Sequence, residues 1–243
     1  KESVDDFVAA GDIRNASLQR SNIGNAYLQL GGYRQAERVL AEAVSTAEPM
    51  KLSFAVGARV NLGFALARAG HFEQAIAVES EALDRCVQQG NRRFEAVARL
   101  YLAMILATAG KRDEAEAPAR AAVESAGGTP GIRAYALAVL ANLKLNADRT
   151  AEGVELAREA AALLEKHAGV EEGESWIRVV HASAMAQSGD AREAARLILD
   201  AKSRLLERAN RISDARWRES FLRNVPENAQ TLAFAKLWGE PRR

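Results

Sequence analysis

The residues of this chain that could carry covalent or metal chemistry are few, and their spacing does not suit it. There are three histidines, His71, His167 and His181, and a single cysteine, Cys86. A helical zinc site needs ligands one turn apart, or close Cys/His pairs, so that several lone pairs converge on one ion. No two of these four residues have that spacing, so no metal is expected. His71 falls in an inter-helix turn, where solvent reaches it, and His181 takes a packing position. The acids Glu171, Glu172 and Glu174 open a helical stretch. There they complement the positive end of the helix dipole, which accounts for them without a catalytic pair. The stretch Gly127-Gly128-Thr129-Pro130-Gly131 is rich in glycine but lacks the Gly-Lys-Ser/Thr that completes a phosphate loop, and no strand precedes it; it reads as a turn. Neither a Ser/His/Asp or Cys/His set nor the paired signatures of a kinase is found. The chain is therefore read as a non-enzyme with no cofactor.

The elements that would position any site come from a repeat. Five segments share a punctuation, a Gly or Asp followed five residues later by Ala or Gly: Gly31–Ala36, Gly70–Ala75, Gly110–Ala115, Asp148–Gly153 and Gly189–Ala194. They are spaced by 39, 40, 38 and 41 residues. Gly11, Met50, Gly90, Gly128 and Gly169 repeat with the same spacings in a second register. Each unit reads as two helices. In the first unit, Ile23, Ala26, Tyr27 and Leu30 follow the helical period, Gly31-Gly32 stop it, and Ala36, Val39, Leu40, Ala43 and Val44 resume it. Short turns between such helices give antiparallel pairs, and one pair cannot bury its apolar face alone, so neighbours stack.

This pattern resembles the tetratricopeptide repeat family over about residues 12–211. The eighth residue of each unit is small (Gly24, Gly63, Ala103, Ala141, Ala182), where two helices must cross closely. The seventh is Ile23, Leu62, Leu102, Leu140 and His181, and the twenty-seventh is always alanine: Ala43, Ala82, Ala122, Ala160 and Ala201. The period departs from the family's 34 residues, so longer helices are expected, as in the extended repeats of kinesin light chains and of bacterial regulators. The resemblance implies an all-α, right-handed α-α superhelix. Residues 1–10 end a preceding repeat helix. Five repeats span 11–49, 50–89, 90–127, 128–168 and 169–211, and capping helices with a tail fill 212–243. The chain lacks an initiating Met and is expected to be part of something longer. Asn224-Val225-Pro226-Glu227 matches a capping box opening the last helix, which stops at Gly239 with Pro241 beyond. The ending WRESFLRNVPENAQTLAFAKLWG also resembles the C-terminal region of large bacterial serine/threonine protein kinases and ATPases. In those proteins the catalytic part lies N-terminal to the repeats.

In the family, the first helices of the units line a concave surface, so register names that wall here. It comprises Asn25, Phe64, Met104, Asn142 and Ser183; one turn on, Gln29, Arg68, Thr108, Asn146 and Gln187; and, near the helix starts, Tyr135 and Trp176, together with Asn61. Phe64, Met104, Tyr135 and Trp176 are either apolar anchors for a bound segment or packing between repeats. Asn25 and Asn61 match the two asparagines of the carboxylate clamp found in some relatives. Ser21, Val97 and Tyr101 stand where its cations belong, so no chaperone-tail binding is expected. Arg20, Arg59, Arg99 and Arg178 form a column that Leu137 interrupts. Either their heads pair with acids of a neighbouring second helix, or they form a ladder for an acidic or phosphorylated partner.

Composition sets the outer bounds. With 48% hydrophobic and 27% charged residues, the chain is ordinary for a globular or solenoid protein. A net charge of +1 argues against broad attraction to nucleic acid or lipid. Residues 201–243 hold ten Lys/Arg against five Asp/Glu, mixed in sign as on a solvated helix face. No apolar run reaches membrane-spanning length, residues 1–10 lack a basic leader, and the lone cysteine fits a reducing compartment. The expected role is a cytoplasmic protein-interaction module that binds a protein or peptide, including its own upstream domain. It would be the regulatory end of a bacterial signalling protein such as a kinase. The alternatives are a standalone scaffold or a small-molecule-sensing solenoid.

Overall fold

The computed structural model describes residues 2–167 and 172–239, so Gly169, Glu171 and Pro241 lie outside the described residues. The described residues form thirteen helices and no strand. Five antiparallel hairpins follow one another: α2 (Ile13–Gln29) with α3 (Tyr33–Ala47), α4 (Ala55–Arg68) with α5 (Phe72–Gln88), α6 (Arg92–Thr108) with α7 (Arg112–Ser125), α8 (Pro130–Leu145) with α9 (Thr150–Lys166), and α10 (Glu174–Gln187) with α11 (Ala191–Asn210). A short helix, α1 (Glu2–Ala9), packs on α2, with Val4 buried, and the chain finishes with α12 (Ala215–Arg223) and α13 (Pro226–Gly239). Each hairpin's second helix packs on the next hairpin's first, and first helices also touch in series along one side. The result is an all-α superhelical stack.

The five turns within hairpins share one backbone device. Gly31, Gly70, Gly110 and Gly189 all have positive φ, and Asp148 takes the same conformation at φ 58°. Glycine adopts it without a Cβ penalty; Asp is among the few other residues that tolerate it. The next residue's N–H then bonds back to the helix just ended: Gly32 to Tyr27 O, His71 to Leu66 O, Lys111 to Leu106 O, Arg149 to Lys144 O and Asp190 to Met185 O. This closes each helix in the Schellman manner. The turns between hairpins are less uniform than the second register implies. Gly11 and Gly90 have positive φ, but in the second unit Lys51 rather than Met50 does so, and Gly128 does not. Side chains of Asp12, Asn91, Asp190 and Asp214 cap α2, α6, α11 and α12 by accepting an N–H from three residues on.

Small residues set the closeness of each hairpin. Ala43, Ala82, Ala122, Ala160 and Ala201 are all buried. Gly24 lies against Leu40, leaving no room for a Cβ, and Gly63 lies in the same way against Glu79. Leu40, Glu79 and Ile198 occupy equivalent positions of three units and are all fully buried. Burying each aliphatic side chain stabilises the stack by about 1.5–3 kcal/mol.

Helix α13, not α12, extends the stack by packing on α10 and α11, and it buries Asn228, Thr231 and Ala235. Helix α12 swings across to the first hairpin instead. The capping box does not form. Asn224 donates its side-chain amide to Ser220 Oγ, and Glu227 turns away to Arg68.

Candidate binding groove

The first helices, α2, α4, α6, α8 and α10, turn one side inward, and the cavities among the described residues show what that side holds. One, of about 560 Å³, is lined by Asn25, Asn61 and Tyr135, with Ser21, Val97 and Tyr101 beside them. A second, of about 480 Å³, is lined by Phe64, Arg68, Met104, Thr108, Asn142, Asn146 and Trp176. Gln29 lines a small gap between these two, with Phe64, Arg68 and Tyr135. Ser183 and Gln187 line none of these cavities. Ser183 Oγ donates to Val179 O within its own helix, and Gln187 is exposed.

The apolar candidates divide by burial. Met104 and Tyr135 are buried, so most of their surface is spent on packing; Phe64 and Trp176 are half-buried. The buried indole Nε1 of Trp176 has no hydrogen-bond partner. Gly173 takes a left-handed conformation at the start of α10, and its backbone lies against the Tyr135 ring. Repeat register does not reach several lining groups because they come from helix starts and loops outside the inward face of the first helices. Arg93 and Phe94 open α6, Phe54 precedes α4, and Glu172 precedes α10. Arg93 brings a cation to this wall, where Ser21, Val97 and Tyr101 at the clamp positions offer none.

A polar bridge separates the two cavities. Phe64 and Tyr101 stack with ring centroids 4.1 Å apart, and the Arg68 guanidinium lies over Phe64 at 4.8 Å. The Tyr101 hydroxyl donates to the Glu172 carboxylate. Arg68 Nη2 donates to both oxygens of Glu227 at 3.1 and 3.3 Å, and their side chains are only 14% and 13% exposed. Burial is the largest single influence and works against the Arg68 charge, but the Glu227 carboxylate together with the neighbouring Tyr135 and Tyr33 hydroxyls raises the guanidinium above its ordinary pKa. Burial also raises the phenols here, with nearby carboxylates adding to the effect: Tyr33 to about 12, and Tyr101 and Tyr135 well above the usual range.

The arginine column is paired within the chain. Arg59 meets Glu48 at 2.5 Å and Glu81 at 2.6 Å, and Arg178 meets Glu174, Glu165 and Asp200 at 2.9–3.2 Å. Arg99 reaches Glu95 at 3.0 Å, and Arg20 approaches Glu42 at 3.5 Å. Most of these acids belong to flanking second helices. The histidines stay apart. His71 precedes α5 and is 3.8 Å from Glu37, His167 follows α9, and burial lowers the His181 pKa below its usual value. No group of three metal-ligating side chains occurs among the described residues, and no described helix is long and apolar enough to cross a membrane.

Comparison with known proteins agrees with this architecture. Tetratricopeptide repeat family models match residues 19–48, 56–78 and 96–121. No curated protein matches the chain in sequence. Among solved structures, BtubC (BKLC) from P. vanneervenii superposes with a TM-score of 0.64 at 21% identity, covering 83% of this chain and 86% of its own. A Rap protein complexed with Competence and Sporulation Factor gives 0.63 at 15% identity, covering 93% and 66%. The quorum sensor NprR from B. thuringiensis in its apo form gives 0.68 at 12% identity, covering 99% and 65%. NprR has also been solved with its cognate peptide NprX. At these identities the likeness is one of fold.

Proposed function

We propose that this chain is a protein-interaction module whose inner wall binds a polypeptide segment. The observation that carries the proposal is the pair of neighbouring cavities on that wall. They combine amide side chains able to hold a peptide backbone (Asn25, Asn61, Asn142, Asn146) with half-buried aromatic surface (Phe64, Trp176). This mixture suits a segment with apolar side chains spaced along a hydrogen-bonding backbone. Of the proteins that share the fold, a Rap protein has been solved with Competence and Sporulation Factor and NprR with its cognate peptide NprX. In this reading the module recruits a partner for a bacterial signalling protein, such as a serine/threonine kinase, or docks that protein's own upstream domain, in the cytoplasm. The two cavity volumes fall in the range of small-ligand sites, and this favours a metabolite as the second reading.

The test is capture from lysate of the source organism by the immobilised chain, compared with Asn61→Arg and Asn142→Arg variants of unchanged melting temperature. Loss of a captured protein from both variants supports the groove. Capture that is indifferent to both substitutions refutes it. For the second reading, a thermal-shift screen of metabolites should raise the melting temperature with a saturating ligand.

A further inference from the structure

The superhelix is closed on itself by contacts between residues far apart in the chain. Ser220 Oγ donates to Leu30 O at 2.7 Å, 190 positions apart, and the Tyr33 hydroxyl donates to Asn224 O at 3.2 Å. The Trp217 ring packs on Tyr27 at 5.3 Å and covers Gly32. Leu30 joins a small apolar cluster with Phe221 and Val225. One polar contact runs deeper: Glu227, in the first turn of α13, reaches Arg68 on α4 in the middle of the inner wall. This seam is light. Phe221 is the one buried residue of α12, whereas α13 is anchored separately by Asn228, Thr231 and Ala235. Opening the seam would therefore cost few buried contacts and leave α13 anchored from Asn228 onward, with only its first turn, which carries Glu227, moving away with α12. It would also strip a mostly buried guanidinium of its carboxylate, which is expensive unless another carboxylate arrives.

We propose that this seam is a displaceable latch, and that Glu227 holds the place of an acidic side chain of the bound polypeptide. On opening, Arg68 becomes the subsite for that side chain. The position of the pair sets the kind of partner. Arg68 lines the second cavity and, through Phe64, abuts the Tyr101 and Tyr135 rings that line the first. A segment that fills both cavities must pass over Arg68 with its middle, not its end. An internal Glu or Asp meets the guanidinium in that register, with neutral or apolar residues to either side. The chain's own Glu227 makes the same kind of two-oxygen contact. This inference rests on the groove reading and adds to it a recognition element and a gate.

The test uses the whole chain and three dye-labelled pools of short random peptides. One has a central Glu and an amidated end, one a central Gln and an amidated end, and one a central Gln and a free C-terminal carboxylate. Spin labels at Gln35→Cys and Glu219→Cys, which lie across the seam, report its opening; native Cys86 is buried and does not compete for label. The expected result is roughly tenfold tighter binding of the central-Glu pool than of either Gln pool, the worth of one charge-assisted hydrogen bond. Glu227→Gln should widen the preference by weakening the internal competitor, Arg68→Gln should abolish it, and saturation should lengthen the label distance. Should Glu227→Gln fail to fold, Ser220→Ala weakens the seam without touching the pair and should tighten binding of the central-Glu pool in its place. Equal binding of all pools that Asn61→Arg abolishes, preference for the free C-terminus, or tight binding with an unchanged label distance each overturns the latch while leaving the groove reading intact. No binding of any pool by any variant, together with a partner captured regardless of groove substitutions, overturns both.

Discussion

Glu79 offers a stringent test of how this stack is held together. It is fully buried between α4 and α5, and neither carboxyl oxygen has a hydrogen-bond partner. Burial alone raises its pKa well above the ordinary 4.5, so the side chain is folded away as the neutral acid. The equivalent positions of the first and fifth units hold Leu40 and Ile198, and Leu40 faces Gly24 as Glu79 faces Gly63. Leucine therefore already fits this geometry elsewhere in the molecule. Leaving a buried polar group without partners costs about 1–3 kcal/mol. Glu79→Leu should recover about that much, raising the melting temperature by roughly 2–4 °C for each kcal/mol. The pH dependence provides a second readout. Below the unfolded-state value near 4.5 both states hold the proton, and the penalty against ionisation does not act. As pH rises above it, the unfolded chain releases the proton first. Wild-type stability then falls by at most about 1.4 kcal/mol per pH unit until the raised folded-state value is passed. Urea unfolding of both proteins at several pH values from about 4 to about 8 isolates this contribution, because other groups cancel in the difference. The advantage of Glu79→Leu should grow as pH rises. A less stable variant at every pH, or a difference that does not change with pH, would mean that Glu79 is not an unpartnered buried acid and would point to a role for the carboxyl outside packing.

Three further outcomes follow from the same structure. Gly173→Ala forces a side chain into a left-handed backbone with its Cβ 2.5 Å from the Tyr135 ring, and chemical denaturation should show a loss of about 1–3 kcal/mol. Arg59→Gln leaves the half-buried Glu48 with a weaker partner and should cost about 1–3 kcal/mol, more than Arg99→Gln, which removes a contact to Glu95. In both cases partner capture should be unchanged; its loss would restore the ladder reading of that column. Burial pushes the Cys86 thiol up to about 12, so a thiol reagent at mildly alkaline pH should react with it only after denaturation, and rapid reaction of the folded chain would contradict its placement in the core.

The stack was legible in the sequence because its turns impose a backbone requirement that few residues meet. Gly31, Gly70, Gly110 and Gly189 announce the hairpins, and even the exception, Asp148, is a residue that tolerates positive φ. The small eighth position and the alanines at the twenty-seventh recur because helices cross closely there, a constraint local to each unit. The closure of the superhelix was not legible, since no repeat position encodes a contact between Ser220 and Leu30 or between Glu227 and Arg68. Asn224 and Glu227 have the spacing of a helix cap, but the Asn224 side chain turns back to Ser220, one helical turn earlier, and Glu227 goes to its tertiary partner Arg68. The inner wall was read from helical register, which finds residues such as Asn61, Asn142 and Trp176 but is blind to groups contributed by helix starts and loops. Phe54, Arg93 and Glu172 are of that kind, and their approach to the cavity depends on how adjacent hairpins pack.

The most direct test of the inner wall as the working surface is site-specific photo-crosslinking of the intact chain. A benzophenone side chain would be placed in turn at Asn61 and Asn142 on the inner wall, and at Arg120 and Leu199 on exposed faces of second helices. The inner-wall positions should become covalently joined to a partner polypeptide and the outer positions should not. Crosslinks confined to Arg120 and Leu199 would contradict this.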